Sequence, residues 1–301
     1  MKAVLLSAYG DVDQLQVRDV PEPKPGPGQI AVAVAGASIN PIDWKLRGGA
    51  YHAYMPLTFP ALLGRDASGE VVAVGAGVTA FEPGMRVLGR VQGAYAEQVV
   101  GDAEGWAEVP ARMDLVDAAA LPLVLLTGAQ LIEEAVGIRD GQRILVTGAL
   151  GSVGRVAVFV AKARGARVIA GVRSAQKAIA ASLGADGVVG LDDPADIAKL
   201  PELDAIADTV GGAAVEGVFG KVKAGGIVGS VVGPPAGIEA RGLVGRAIMA
   251  HSDSKRLGAL AQAVADGKLV IPIAKRFPLA QAAEAQRFAE AGARGKVILV
   301  V

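Results

Sequence analysis

A stretch with three glycines, Gly148 to Gly154 (GALGSVG), is the feature that most restricts how this 301-residue chain can fold. An apolar run, RILVT at 143–147, precedes it, and a helix-like segment at 153–164 follows it. Such a run is typical of a buried strand. Glycines between a strand and a helix allow a tight turn and a close approach of the two elements. The stretch therefore predicts a strand–turn–helix unit of a parallel sheet.

Alternating strand-like and helix-like segments continue around this unit. Ser174 is the expected N-cap of the helix after the second strand, because its hydroxyl can accept a hydrogen bond from a free backbone N–H group. The alternation predicts a doubly wound α/β domain over residues 119–267, with a buried parallel sheet. Further strands are predicted at 166–172, 205–210 and 226–232, and further helices at 175–183, 213–223 and 253–266.

The two ends of the chain have a different pattern. Short β-type runs separated by turn-forming residues extend from Met1 to about Pro110, which is typical of a small β-barrel or sandwich. Similar runs return at 269–277 and 296–301, around an alanine-rich helix predicted at 280–291. Residues 1–118 and 268–301 are therefore predicted to form one β domain into which the α/β domain is inserted.

Composition excludes several classes of function. The chain has no cysteine and only two histidines, which rules out thiolate metal sites, disulfides and a three-histidine site. Thirty basic residues balance thirty acidic ones, so charge favours neither a nucleic-acid nor a membrane partner. The longest uncharged stretch, 118–132, is expected to be too short for a membrane span because Pro122 and Gly128 interrupt it. We expect a cytoplasmic protein.

The glycine stretch also matches the fingerprint of a dinucleotide-binding turn. Gly148 permits the tight turn, Gly151 lets the backbone approach a pyrophosphate, and Gly154 lets the helix pack on the strand. The alternative is a turn that merely needs glycine. The candidate cofactor-binding residues of this turn are Gly148, Leu150, Gly151, Ser152, Val153 and Gly154.

The end of the second strand predicts which nicotinamide cofactor is used. Folds selective for NAD place Asp or Glu there to bind the ribose 2′-hydroxyl. This chain instead has Arg173, Ser174 and Lys177, two cations and a hydroxyl that suit a 2′-phosphate. The pattern therefore predicts NADPH, with an ordinary solvated turn as the alternative.

The order of these modules resembles the medium-chain dehydrogenase/reductase superfamily, in which a Rossmann domain is inserted into a GroES-like β domain. Over essentially its full length the chain resembles the zinc-free quinone oxidoreductase (zeta-crystallin-like) branch. The matching stretches are Asn40-Pro41-Ile42-Asp43, LLGRDASGEVVAVGAGVTAFEPGMRV at 62–87, GAYAEQVV at 93–100, the glycine stretch, DTVGG at 208–212 and GKVILV at 295–300.

The resemblance implies hydride transfer from NADPH to a quinone or an α,β-unsaturated carbonyl, without zinc. Zinc-dependent relatives have ligands near Asn40 and Arg65, and neither side chain suits a cation. Asn40 and Tyr51 are the implied donors to the substrate oxygen, although each also has a purely structural interpretation. The resemblance further implies cofactor contacts from Asn40, Thr127, Ser230, Val231, Val232 and Lys296.

Three alternatives remain at this stage. The first alternative is a non-catalytic NADPH-binding protein, the second is an enoyl-thioester reductase, and the third is a short-chain dehydrogenase. The last needs a Tyr-x-x-x-Lys pair, which the chain lacks, and a glycine motif near its N-terminus. The apolar run 226–232 is predicted to be an exposed sheet edge. The resemblance implies a homodimer that joins two such edges.

Overall fold

The computed structural model describes residues 1–233 and 237–301, which divide into two units. Unit 1 comprises Met1–Leu123 and Ser252–Val301, and unit 2 comprises Val124–His251. The predicted inserted domain, 119–267, extends past the second junction. The helix after that junction contacts the strand that begins at Trp106 and buries Leu257 and Leu260, so it belongs to unit 1.

Sixteen strands and nine α-helices form the described part of the chain. The strands are β1 Lys2–Leu6, β2 Leu15–Asp19, β3 Gln29–Ile39, β4 Ala61–Leu62, β5 Asp66–Val74, β6 Arg86–Arg90, β7 Gln98–Asp102, β8 Trp106–Glu108, β9 Arg143–Thr147, β10 Arg167–Val172, β11 Gly187–Gly190, β12 Leu203–Asp208, β13 Val222–Ser230, β14 Val244–Ala247, β15 Ile273–Pro278 and β16 Lys296–Val300. The helices are α1 Pro41–Arg47, α2 Leu115–Ala118, α3 Pro122–Gln130, α4 Ser152–Ala163, α5 Lys177–Ala180, α6 Pro194–Ala198, α7 Ala213–Glu216, α8 Ser254–Ala265 and α9 Ala282–Glu290.

Unit 1 is the predicted GroES-like β domain. Its larger sheet has the order β15-β16-β3-β5-β6-β8, with β7 also paired to β3, and a second sheet has the order β2-β1-β4. The two ends of the chain meet in the larger sheet, where β16 pairs antiparallel with β3. Tyr95, Trp106 and Phe277 fill the core of unit 1. Both ends of the chain therefore contribute strands to unit 1.

Unit 2 contains a six-stranded parallel sheet of order β11-β10-β9-β12-β13-β14, the order of the Rossmann fold. The chain runs outward from β9 through β10 to β11, then returns to place β12 on the other side of β9. The predicted α/β class is confirmed. In open sheets of this kind, ligands bind beyond the carboxyl ends of the strands where the order reverses, here at β9 and β12.

Local predictions for unit 2 are right only in part. The helix predicted at 175–183 is present, as α5 between two 3₁₀ turns, and it ends at Gly184 with φ +71°. The Ser174 hydroxyl does not cap this helix, because it donates a hydrogen bond to the Asp192 carboxylate. The helix predicted at 213–223 ends at Glu216, and two glycines follow within four residues.

The predicted edge strand also lies elsewhere. β13 covers the predicted run 226–232 only in part, and it is flanked on both sides by β12 and β14. The edge strands of the described sheet are β11 and β14, and β14, next to β13, has four residues that are all exposed. Homodimer formation through a sheet edge stays a prediction. The strand that would pair with its copy is then β14.

One helical stretch, Leu115–Val136, is long and apolar enough to cross a membrane by length and composition alone. Gly128 lies inside α3 and does not interrupt it, whereas Pro122 begins α3 after three residues that separate it from α2. Of its most apolar window, 72% is buried inside the structure. A buried core helix passes the same test.

We expect Gly154→Ala to destabilise unit 2. A Cβ atom at Gly154 would lie 2.2 Å from the Gly148 carbonyl oxygen, so β9 and α4 would have to separate. Overpacking of this kind costs about 1–3 kcal/mol, which denaturant unfolding would detect. The matched control is Gly220→Ala, where the added Cβ meets no atom within 4 Å and we expect a change below about 0.5 kcal/mol. Equal stability of the two variants would contradict the close packing.

Candidate active site

The glycine turn of unit 2 has the geometry that a bound phosphate requires. Gly148 follows β9 with φ +60°, a conformation that favours glycine, and Gly151 precedes the first residue of α4. The Gly151 amide donates to the Gly148 carbonyl at 2.8 Å, which tightens the turn. The first N–H groups of a helix have no partner inside the helix, and its dipole favours an anion. The turn therefore fits the pyrophosphate of a dinucleotide.

A buried aspartate that the sequence analysis did not single out connects the strands beside this turn. Asp208 ends β12, and its Oδ1 accepts hydrogen bonds from the Thr147 hydroxyl at 2.7 Å and the Gly211 amide at 3.0 Å. Its Oδ2 accepts one from the Ser230 hydroxyl at 2.9 Å. Asp208 thus connects the carboxyl ends of β9, β12 and β13. The sequence signal that could have identified Asp208 is an acidic residue at the end of an apolar strand.

Four of the cofactor contacts that the resemblance implies lie in the same unit, namely Thr127, Ser230, Val231 and Val232. Ser230 ends β13, and Val231 and Val232 follow it. The Val231 amide donates to the Asp208 carbonyl at 3.1 Å, so the segment is anchored to the neighbouring strand. Thr127 lies within α3 and is half-buried. Their contacts with a cofactor stay predictions.

Two carboxylates from a later part of the chain lie against the turn after β10. Asp192, which follows β11, accepts hydrogen bonds from both the amide and the hydroxyl of Ser174 at 2.7 Å. These bonds lower the pKa of Asp192. Asp196 forms an ion pair with Lys177. Of the two cations predicted to bind a 2′-phosphate, the exposed Arg173 has no carboxylate oxygen within 4.0 Å among the described residues, although it attracts Asp192 from farther away.

A buried carboxylate organises a cluster of polar side chains in unit 1. Asp66 is 0% exposed, and its Oδ1 accepts a hydrogen bond from the Leu123 amide, in the first turn of α3, at 2.7 Å. Its Oδ2 accepts one from the Ser38 hydroxyl at 2.7 Å and one from the Asn40 amide group at 2.8 Å. Each of these donors comes from β3, the turn after it, or α3.

Both ends of the Asn40 side chain have partners inside this cluster. Its Nδ2 donates to Asp66, and its Oδ1 accepts a hydrogen bond from the Lys296 ammonium group at 2.5 Å. Lys296 begins β16, is 5% exposed, and also lies 3.7 Å from Asp66 Oδ2. Burial lowers the pKa of Lys296, and the two nearby carboxylates, Asp66 and Asp43, oppose this. Substrate contact by Asn40 and cofactor contact by Lys296 stay predictions. In this structure the two side chains form a hydrogen bond with each other.

Asp43 is a second buried carboxylate of the cluster. Its Oδ2 accepts hydrogen bonds from the Asn40 backbone amide and the Tyr95 hydroxyl, both at 2.8 Å, so it caps the start of α1. Its Oδ1 is buried without a hydrogen-bond partner. Burial, which disfavours the charged form, raises the pKa of Asp43 to about 6.

Tyr51 differs from Asn40 because its hydroxyl is free. The residue is half-buried and its ring packs against the core of unit 1, with the Lys45 ammonium 5.8 Å from the ring centroid. No hydrogen bond to the hydroxyl exists within the described part of the chain. Tyr51 therefore has the packing that its structural interpretation predicted and a hydroxyl that is still available to a ligand.

We expect the stability of the protein to depend on pH through Asp43. Between about pH 4 and 6 the folded chain holds a proton that the unfolded chain has lost, so the free energy of unfolding falls as pH rises. Asp43→Asn lacks this proton. Relative to that variant, the wild type should lose about 2–3 kcal/mol between pH 4 and 7. Urea unfolding at several pH values measures the difference, with the exposed Asp19→Asn as control. A pH-independent difference would contradict the buried-acid assignment.

Two family profiles match the chain. An alcohol dehydrogenase GroES-like domain matches residues 26–111, and a zinc-binding dehydrogenase domain matches residues 183–299. The residues present do not fit a zinc ion. Among the described residues no group of three or more His, Cys, Asp or Glu side chains is placed to hold a metal. A guanidinium stands at position 65 and an ammonium lies beside Asp66, and neither can donate a lone pair to zinc.

Known proteins match the chain over its whole length in structure and over part of it in sequence. The chloroplast envelope quinone oxidoreductase homolog of Arabidopsis thaliana is 36% identical over 166 residues, 52% of this chain and 50% of that protein. The quinone oxidoreductase of Coxiella burnetii superposes with a TM-score of 0.89 at 27% identity, covering 100% of this chain and 99% of that one. A structure described as an NAD-dependent alcohol dehydrogenase gives a TM-score of 0.86 at 31% identity, with both chains covered completely.

The chain aligns with 50–62% of the length of the first curated relatives. The structural match at 31% identity covers both chains in full, and the observed architecture is the one that the resemblance implied. The chain therefore belongs to the medium-chain dehydrogenase/reductase superfamily, a family of oxidoreductases that use a nicotinamide cofactor, and is similar to its quinone oxidoreductases.

Proposed function

We propose that the chain is an NADPH-dependent, zinc-independent reductase of quinones or α,β-unsaturated carbonyls. The observation that carries this proposal is the glycine turn between β9 and α4, at the point where the strand order of the parallel sheet reverses. The residues around it are suited to hold the dinucleotide: the amides of the turn for the pyrophosphate, and the Ser230 segment and Thr127 for the nicotinamide.

A bound reduced nicotinamide would supply a hydride to an electron-poor carbon of the acceptor, and the acceptor's carbonyl oxygen would take the displaced electron pair and a proton. The residues of this chain must orient the acceptor and stabilise that oxygen. Tyr51 offers a free hydroxyl for this purpose. Asn40, Asp66 and Lys296 supply a fixed, charged frame in the same unit. Without a Lewis acid, an already activated acceptor is the favoured substrate.

The test of this function is NADPH consumption with 1,4-naphthoquinone, cyclohexenone and a crotonyl thioester. We expect turnover of the quinone or the enone, and an unchanged rate after treatment with a chelator. Tyr51→Phe should lower kcat by about tenfold or more, because general acid catalysis is lost. Tyr54→Phe, at a residue that is 85% exposed, is the matched control and should leave kcat unchanged. Turnover of the thioester alone favours an enoyl-thioester reductase, and NADPH binding without turnover favours the non-catalytic alternative.

The proposed preference for NADPH depends on Arg173, whose guanidinium would bind the 2′-phosphate. The carboxylates of Asp192 and Asp196 already engage Ser174 and Lys177, so the 2′-phosphate would gain one exposed guanidinium. A charge-assisted hydrogen bond contributes roughly 1.5–3 kcal/mol, and solvent exposure reduces it to about 1–2 kcal/mol.

Steady-state kinetics with both cofactors should show kcat/KM for NADPH about 5- to 30-fold above that for NADH. Arg173→Ala should abolish most of this preference by weakening NADPH alone. Arg167→Ala, which removes an exposed arginine from the other end of β10, should change neither value. Asp192→Asn should raise the preference, because it removes a negative charge and frees the Ser174 hydroxyl. Equal kcat/KM values for the two cofactors in the wild type would refute the assignment.

A further inference from the structure

The guanidinium groups of two half-buried arginines of unit 1, Arg65 and Arg90, form no hydrogen bond with the cluster around Asp66 among the described residues. Arg65 precedes β5, and Arg90 ends β6, where it pairs across the sheet with Asp66. Within residues 1–233 and 237–301, neither guanidinium has a carboxylate oxygen within 4.0 Å or a hydrogen-bond partner. The Nε atom of Arg90 is completely buried and unpaired.

This arrangement is costly for the folded protein. Burial lowers the pKa of both arginines, and the charge of Arg65 lowers that of Arg90 further. A guanidinium does not lose its proton in proteins, so both groups stay charged. Unpaired buried charge is destabilising, and so is like charge held close together. A bound anion would relieve both penalties at once.

The carboxylates nearby relieve these penalties only in part, since Asp66 attracts Arg90 without lying within 4.0 Å of its guanidinium. Both oxygens of Asp66 already accept hydrogen bonds from Leu123, Ser38 and Asn40. Asp43 attracts Arg65 at a distance, but its Oδ2 is occupied and burial disfavours its charge. The ammonium of Lys296 lies 3.7 Å from Asp66 Oδ2, so it competes with the arginines for that carboxylate. The cluster thus contains three cations against two carboxylates, namely Arg65, Arg90 and Lys296 against Asp43 and Asp66.

We propose that Arg65 and Arg90 bind an oxyanion of the electron acceptor. The oxyanion is either a carboxylate or sulfonate that the acceptor carries, or the negative charge that develops on its carbonyl oxygen. Both present the same chemistry to a guanidinium, whose N–H groups form a planar fork that matches an anionic oxygen. The substrate class is therefore a quinone or enone with anionic character at this position. This inference rests on the proposed reductase function.

The kinetic test compares 1,4-naphthoquinone with 1,4-naphthoquinone-2-sulfonate, which differ by one anionic group. The variants are Arg65→Gln and Arg90→Gln, their lysine counterparts, and Arg18→Gln, which removes an exposed arginine of β2 as a matched control. If the arginines bind a carried anion, the glutamine variants should raise KM for the sulfonate alone by about 10- to 100-fold. If they stabilise the developing charge, kcat should fall by a similar factor for both acceptors. Lysine should restore part of either loss.

A binding test does not require turnover. Without nicotinamide, naphthalene-2-sulfonate should raise the thermal unfolding midpoint of the wild type and Arg18→Gln, and not that of Arg65→Gln or Arg90→Gln. The uncharged 2-naphthalenemethanol should raise the unfolding midpoint of each of these proteins by less than naphthalene-2-sulfonate raises that of the wild type. The glutamine variants should fold, because each removes an unpaired cation, and their unliganded midpoints should equal or exceed that of the wild type.

The two measurements separate failure of this inference from failure of the reductase function. If the wild type reduces no quinone but binds the sulfonate through the two arginines, only the reductase function fails. If the wild type reduces quinones while both glutamine variants keep wild-type kcat and KM for both acceptors and the same midpoint shift, the anion site is wrong. Absence of any sulfonate effect on the midpoint together with unchanged kinetics also overturns it.

Discussion

A carboxylate with no access to water must receive hydrogen bonds from its surroundings, and much of unit 1 is arranged to satisfy Asp66. The Ser38 hydroxyl comes from β3, the Asn40 amide from the turn that follows it, and the Leu123 N–H group from the start of α3. Lys296 reaches the same place from β16, at the far end of the sequence. One buried charge thereby connects segments that are distant in the chain.

Asp208 has the same physical role in unit 2. Its carboxylate accepts hydrogen bonds from residues at the carboxyl ends of β9 and β13, beside the glycine turn. Burying an aspartate is unfavourable unless each oxygen has a donor, so the ends of these strands are held in one geometry. The segments expected to contact the nicotinamide are extensions of the same strands. The two units thus use the same device, a buried and fully hydrogen-bonded carboxylate, to fix the residues around it.

Charge balance distinguishes the two candidate anion sites. Near the turn after β10, Asp192 and Asp196 offset the cations that the local sequence displays, so only one guanidinium remains unpaired there. Near Asp66 the opposite holds, because both of its oxygens are already occupied and the neighbouring arginines are left without partners. Whether a cation is available to a ligand depends on which oxygen atoms are already taken, and not on the number of charged residues in a segment.

Local patterns in the sequence were sufficient for the fold class and for the strand β9 with its glycine turn. These features depend on periodicity and on glycine, which act between neighbouring residues. The side-chain partners of Asn40, Ser174 and Lys177, and the lack of one for Arg65 among the described residues, were decided by tertiary structure alone. Each partner, such as Lys296 for Asn40 or Asp192 for Ser174, lies outside the local segment that a sequence pattern covers. Hydrogen bonds and ion pairs act over a few ångströms, so they exist only once the sheets have brought distant strands together.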